Sequence, residues 1–172
     1  MERLKREPGG WGVALGGAIA LVSVVFAWVS VSSASAHATW KAALVRTVTG
    51  QTIGLLGILA MIAGLGLVAS RHGARIWWAL VALLGTATVL VASVIAILSP
   101  STFATWIATT QTISTLALSQ TTESANKAIS AGFDAGTLTA SVAFGAFIGL
   151  VAGLLGVAGS ILGFRKRRET TD

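Results

Sequence analysis

Four stretches of this chain are apolar at almost every position: residues 11–32, 50–70, 76–98 and 138–164. A helix at a water-facing surface places polar residues on one face with a period of 3.6. These stretches lack such a stripe, and none contains an ionisable side chain. Each helical residue rises ~1.5 Å, so crossing ~30 Å of hydrocarbon takes about 20 apolar residues. All four stretches are that long. The pattern predicts an all-α fold, a four-helix transmembrane bundle forming a single integral membrane domain over residues 1–172.

The intervening segments read differently. Residues 33–49 and 99–137 are the longer connections, and residues 71–75 make a short turn. "WVSVSS" (28–33) and "ALVRTVTG" (43–50) alternate apolar and polar positions, which fits strands and a small hairpin. In the second long segment Phe103, Trp106, Ile107, Ile113 and Leu116 recur at near-helical spacing. That spacing predicts an amphipathic helix lying at the outer membrane interface. "ESANKAISAGF" (123–133) predicts a further short helix. A connection this long is either functional or a mobile polar loop; an outer protein partner, if there is one, is expected to meet this stretch.

Composition agrees with a lipid-solvated chain. Apolar residues make up 54% and charged residues 10% of the 172 positions. A soluble domain carries about 25% charged residues, too many to match this chain. There is no cysteine, which excludes disulfides and thiolate chemistry.

The net charge of +6 raises nucleic acid as a partner, but the cations are placed otherwise. Nine of the twelve lie in three clusters, each beside an apolar run: Arg3, Lys5 and Arg6; Arg71 and Arg75; Arg165, Lys166, Arg167 and Arg168. A nucleic-acid reader spreads its cations along one face. Cations at span ends mark the cytoplasmic side. Lys41, Arg46 and Lys127 fall on the opposite side. The expected location is therefore the plasma membrane, multi-pass, with both termini cytoplasmic and membrane lipids as the first partner. Trp11, Trp28, Trp77 and Trp78 fall near span ends, where indole rings anchor in the interface. "ASAHA" (34–38) resembles a leader cleavage site, but the run before it is longer than the 7–15 residues usual for a leader. The first span is expected to be retained.

Glycine is common in the spans. The fourth holds Gly145, Gly149, Gly153, Gly156 and Gly163 on one stripe, the second Gly50, Gly54, Gly57 and Gly64, the first Gly12, Gly16 and Gly17. Lipid gives two apolar helices little reason to associate, so contact rests on close packing across small residues. The helix-packing positions are thus Gly54, Gly57, Gly64, Gly145, Gly149, Gly153 and Gly156. The same stripe on the fourth span would also suit a homo-oligomer or a protein partner.

No residues combine into an evident reaction centre. His37 and His72 fall on opposite sides of the membrane, and the six carboxylates (Glu2, Glu7, Glu123, Asp134, Glu169, Asp172) lie at ends or in loops. Asp134 is placed to cap the fourth helix. Intramembrane ionisable groups, the usual mark of transport or proton relay, are missing from the spans. Gln51, Thr86, Thr88, Ser93 and Ser141 are polar groups within them, suited to bonds between helices or back to their own backbone. No catalytic, cofactor-binding or metal residues are assigned.

The chain resembles the actinobacterial tryptophan-associated membrane protein family. The resemblance rests on Trp28, "VRTVTG" (45–50), the turn at 71–75 followed by "ARI" (74–76), the polar outer loop and a glycine-rich last span with a basic tail. It covers about residues 12–165 and is strongest over 45–75. The family's usual proline near the outer start of the second span is absent from "GQTIG" (50–54). The resemblance implies a small four-span protein encoded beside tryptophan-biosynthesis genes, and supplies no site residues. The function expected is a non-enzymatic accessory or assembly subunit of a membrane complex. The alternative is a small transporter or exporter of a hydrophobic or aromatic solute.

Overall fold

The computed structural model describes residues 8–33, 38–44, 47–69, 74–115 and 121–165. In chain order these form α1 (Pro8–Val25), β1 (Ala27–Ser33), β2 (Ala38–Ala43), α2 (Val48–Ala69), α3 (Arg75–Leu98), α4 (Pro100–Thr115), α5 (Thr121–Asp134), β3 (Leu138–Val142) and α6 (Phe144–Arg165). Four of them, α1, α2, α3 and α6, are long and apolar enough to cross a membrane.

The fold is not all-α. Strands β2, β1 and β3 form a three-stranded antiparallel sheet with β1 in the middle. The first apolar run therefore stops being helical at Val25, and its "AWVSVSS" end is β1. The fourth run begins as a strand and becomes helical only at Phe144. Both runs carry apolar residues alternating with hydroxyl residues at those ends, and each strand satisfies the other's backbone. The second strand of the hairpin is Ala38–Ala43 rather than 43–50. Val45 and Arg46 of that segment lie outside the described residues. Val48 already belongs to α2, because Thr47 caps it: its Oγ1 accepts from the Gly50 N–H at 2.9 Å and donates to the Leu44 carbonyl at 2.8 Å. This is the N-cap arrangement that stops a strand and starts a helix.

The chain divides into two compact units. The helix unit comprises residues 1–23, 53–92 and 148–172, and the sheet unit residues 24–52 and 93–147.

In the helix unit, α1 carries two double glycines one heptad apart, Gly9-Gly10 and Gly16-Gly17. Adjacent residues point ~100° apart on a helix, so each pair serves two neighbours. Gly9 and Gly16 meet α6: a Cβ added to either would lie 2.8 Å from the carbonyl of Gly159 or Ala152, respectively. Gly10 and Gly17 meet α2, at the carbonyls of Gly64 and Gly57. Those partners are themselves seven apart, as are Gly156 and Gly163. On α3, the Leu90 backbone closes on Gly153 and the Thr86 methyl on Gly156, while Gly85 faces the Leu56 carbonyl. Val13, Ala60, Ala63, Leu67, Ala79 and Ala82 form the buried cluster between helices. Small residues face inward, and large aliphatics such as Leu55, Leu84, Val151 and Leu162 face outward. That is the arrangement expected when lipid rather than water surrounds the helices.

In the sheet unit, Val29, Val31, Leu138, Ala140 and Val142 share one face, and Ser30, Ser32, Thr39, Lys41, Thr139 and Ser141 the other. Helix α4 packs against β1 and β3. Its Phe103, Ala104 and Ile107 are buried. Proline starts α4, as suits a first turn that has no use for its N–H. Helix α5 ends at Asp134, and the turn that follows it passes through Gly136, whose φ of 69° needs glycine.

Candidate functional site

At one end of the helix unit four helix termini meet. Gly9 of α1 lies against Gly163 of α6, Gly10 against Val68 near the end of α2, and Leu67 beside Gly163. Arg75, at the first residue of α3, is half-buried and its Nε donates to the Gly163 carbonyl at 3.3 Å. A guanidinium on the last carbonyls of a helix satisfies an otherwise orphaned acceptor and complements the negative end of the helix dipole. Each cation cluster in the sequence adjoins one of these termini. Arg71 and Lys166, Arg167 and Arg168 lie outside the described residues, as do His37 and His72. Arg165 closes α6.

Hydroxyls inside the spans are turned to their own helices. Thr86 Oγ1 donates to the Ala82 carbonyl at 2.8 Å, Ser160 Oγ to Gly156 at 2.8 Å, Ser23 Oγ to Ala20 at 2.7 Å and Thr88 Oγ1 to Leu84 at 2.9 Å. Bonds of this kind consume the donor and leave little to offer a solute. Gln51 is exposed in the first turn of α2, and Ser93 is buried in α3. Ser141 is no span residue: it stands on the polar face of β3.

The predicted glycine positions divide. Gly57, Gly64, Gly153 and Gly156 are in close backbone or side-chain contact inside the helix unit, and Gly149 is buried. Gly54 is not close-packed, since a Cβ there would meet only Leu21 Cδ2 at 4.0 Å. The nearest neighbours of Gly145 are the Trp28 ring and the carbonyls of Phe26 and Ala27 rather than another span. Gly50 is pressed against the Leu44 carbonyl beside the Thr47 cap. Gly9 and Gly10 escaped the sequence reading, although their repetition at Gly16-Gly17 is the signal that marks them.

Trp28 is not a lipid anchor. It is fully buried, stacked on Phe103 with ring centroids 5.8 Å apart, and Phe103 in turn meets Trp106 edge-on at 5.7 Å. A bulge in β1 explains the inward ring. Ala27 pairs with Ala43 and Val29 with Ala42, so Trp28 is the extra residue, and a bulge re-aims its side chain. Trp78 is likewise partly buried, against Gly66, whereas Trp77 is 70% exposed and Trp11 is exposed. Helix α4 is thus anchored on the sheet through Phe103, stacked on Trp28, with Ile107 buried and Trp106 half-exposed. The Ile113 side chain and the whole of Leu116 lie outside the described residues. Asp134 does not cap α6. It is the exposed last residue of α5, and β3 intervenes.

The polar sheet face carries two rows across the strands: Lys41, Ser30 and Ser141, then Thr39, Ser32 and Thr139. Ser32 and Thr39 are linked at 3.3 Å, and Thr139 and Ser141 donate to the Ser32 and Ser30 carbonyls at 3.5 Å. Among the described residues no three His, Asp or Glu side chains gather to hold a metal ion. No protein-family model, curated protein or solved structure matches the chain.

Proposed function

We propose that this chain is a non-enzymatic integral membrane protein that crosses the bilayer four times and serves as an accessory subunit of a membrane complex. In this reading both termini are cytoplasmic, and the connections at residues 33–49 and 99–137 are on the outer side. The observation that carries it is the distribution of side-chain size in the helix unit. Glycine faces are filled within the chain, and what remains outward on the spans is large aliphatic surface suited to lipid. The contact surface left for a protein partner is therefore the sheet unit. The convergence of the cation-bearing helix termini supports the orientation, since all nine clustered cations then adjoin one face of the membrane. A homo-oligomer through the α6 stripe loses appeal, because Gly153, Gly156, Gly159 and Gly163 already meet α1, α2 or α3.

The test is purification from native membranes in mild detergent, with single cysteines at residues 2, 35 and 170 for accessibility labelling. The expected result is a stoichiometric partner, with positions 2 and 170 reacting only from the cytoplasmic side. A chain purified alone that moves an aromatic solute across vesicles would replace this reading with the transporter.

A further inference from the structure

We propose that the free edge of β3 is a strand-docking site for an extended segment of the partner protein. The inference rests on the accessory-subunit reading and names the surface through which it would work. The Ala143 N–H donates to the Trp28 carbonyl at 2.9 Å. Residues 28 and 143 are therefore a hydrogen-bonded pair, and the antiparallel alternation continues through Ser30↔Ser141 and Ser32↔Thr139. The backbone groups of Leu138, Ala140 and Val142 consequently point away from β1. They have no hydrogen-bond partner among the described residues, and β3 is an outer strand of the sheet.

The two edges of the sheet differ. On β2 the outward backbone belongs to Thr39 and Lys41, and a lysine on an edge discourages pairing with another strand. The β3 edge, "LTASV", has no charge, no proline and no bulge. A row of unused N–H and C=O groups spaced at strand intervals is complementary to one ligand chemistry, the main chain of another strand. The face pattern adds to the specification. An added strand would continue the hydroxyl rows on one side and the Leu138, Ala140 and Val142 face on the other. The fitting segment therefore alternates apolar and polar residues.

Amide hydrogen exchange of the full-length chain tests this, comparing the protein in its native membranes with the protein purified in detergent. In the purified protein the amides of Ala140 and Val142 should exchange about tenfold or more faster than those of Thr139 and Ser141. In native membranes they should slow to match. Ala140→Pro removes an outward N–H, which an edge strand tolerates. It should abolish the slowing at Val142 while Thr139 and Ser141 stay protected. If those two lose protection the variant has unfolded, and Leu138→Pro, at the first strand residue, takes its place. Equal exchange of Val142 in both preparations overturns the proposal, as does slowing that survives the proline. Slowing that grows with concentration of the purified chain overturns it in favour of a second copy. A stoichiometric partner with unchanged β3 exchange removes this inference and leaves the accessory reading standing; solute transport by the lone chain removes both.

Discussion

Gly17→Ala and Gly54→Ala are the same chemical change on two facing helices, and the structure assigns them opposite signs. At Gly17 the new Cβ would sit 2.6 Å from the Gly57 carbonyl oxygen and 2.6 Å from the Met61 nitrogen. Both are backbone atoms, so no side chain can swing aside. Ordinary contact begins near 3.4 Å, so α1 and α2 must part by about 0.8 Å at that point. A gap of that size forfeits a quarter to a half of the dispersion between facing atoms. Overpacking of this kind costs about 1–3 kcal/mol. Near 2 kcal/mol, the loss lowers the unfolding temperature by about 4–8 °C for a chain of this size. At Gly54 the Cβ reaches only Leu21 Cδ2, at 4.0 Å. It fits, and alanine is the better helix former by up to about 1 kcal/mol. The assay is thermal unfolding in one mild detergent, followed by tryptophan fluorescence. Equal shifts in the two variants would refute the claim that α1 is clasped by backbone contact on this face.

Two further outcomes follow from the sheet unit. Trp28→Ala empties a fully buried site beside Phe103 and Gly145 and should cost about 3–5 kcal/mol, whereas Trp106→Ala, at a ring 46% exposed, should cost less than half as much; denaturant titration read by near-ultraviolet circular dichroism separates them. Cleavage within residues 34–38 would remove α1 and β1, and β2 and β3 each pair with β1 and not with one another. The intact mass of the purified protein is therefore expected to include both elements, and a mass starting near His37 would show that the sheet is not part of the mature chain.

The spans were legible because twenty apolar residues without a charge have few other uses. Two of their ends were not: the end of the first run and the start of the fourth are strands. Hydropathy cannot distinguish "WVSVSS" in a helix from the same residues in a strand, since valine and serine serve either. What settles β1 is its pairing with β3, more than a hundred residues away. The strands at 27–33 and 138–142 both alternate, but alternation inside a longer apolar run is easily absorbed into the helix beside it. Trp28 misled for a related reason. Tryptophan near a span end usually reports an interface, and only the one-residue bulge against Ala42 and Ala43 turns this one inward. Phe103 and Ile107 were legible as one face of α4; that the face covers a sheet rather than lies on lipid depends on strands that local periodicity does not reveal.

Glycine content says more than that helices touch. In water, five glycines among residues 9–17 would weaken α1 by roughly 1 kcal/mol each against alanine, more than an isolated helix of its length can spare. In lipid the backbone bonds have no competing water, and the missing side chains become room for a neighbour. One glycine stripe serves one neighbour. Doubled glycines a heptad apart give two stripes about a hundred degrees apart, and a helix so marked is built to lie between two others. In α1 the two stripes are answered by Gly57 and Gly64 on α2 and by Gly156, Gly159 and Gly163 on α6. Helix α3 has the single glycine Gly85 and meets its neighbours through Leu90, Thr86 and Trp78 instead. Among the four spans, the one with paired glycines has the largest buried share, half of its window. The spacing of doubled glycines thus carries the order of helices in the bundle, a piece of tertiary information that hydropathy alone leaves out.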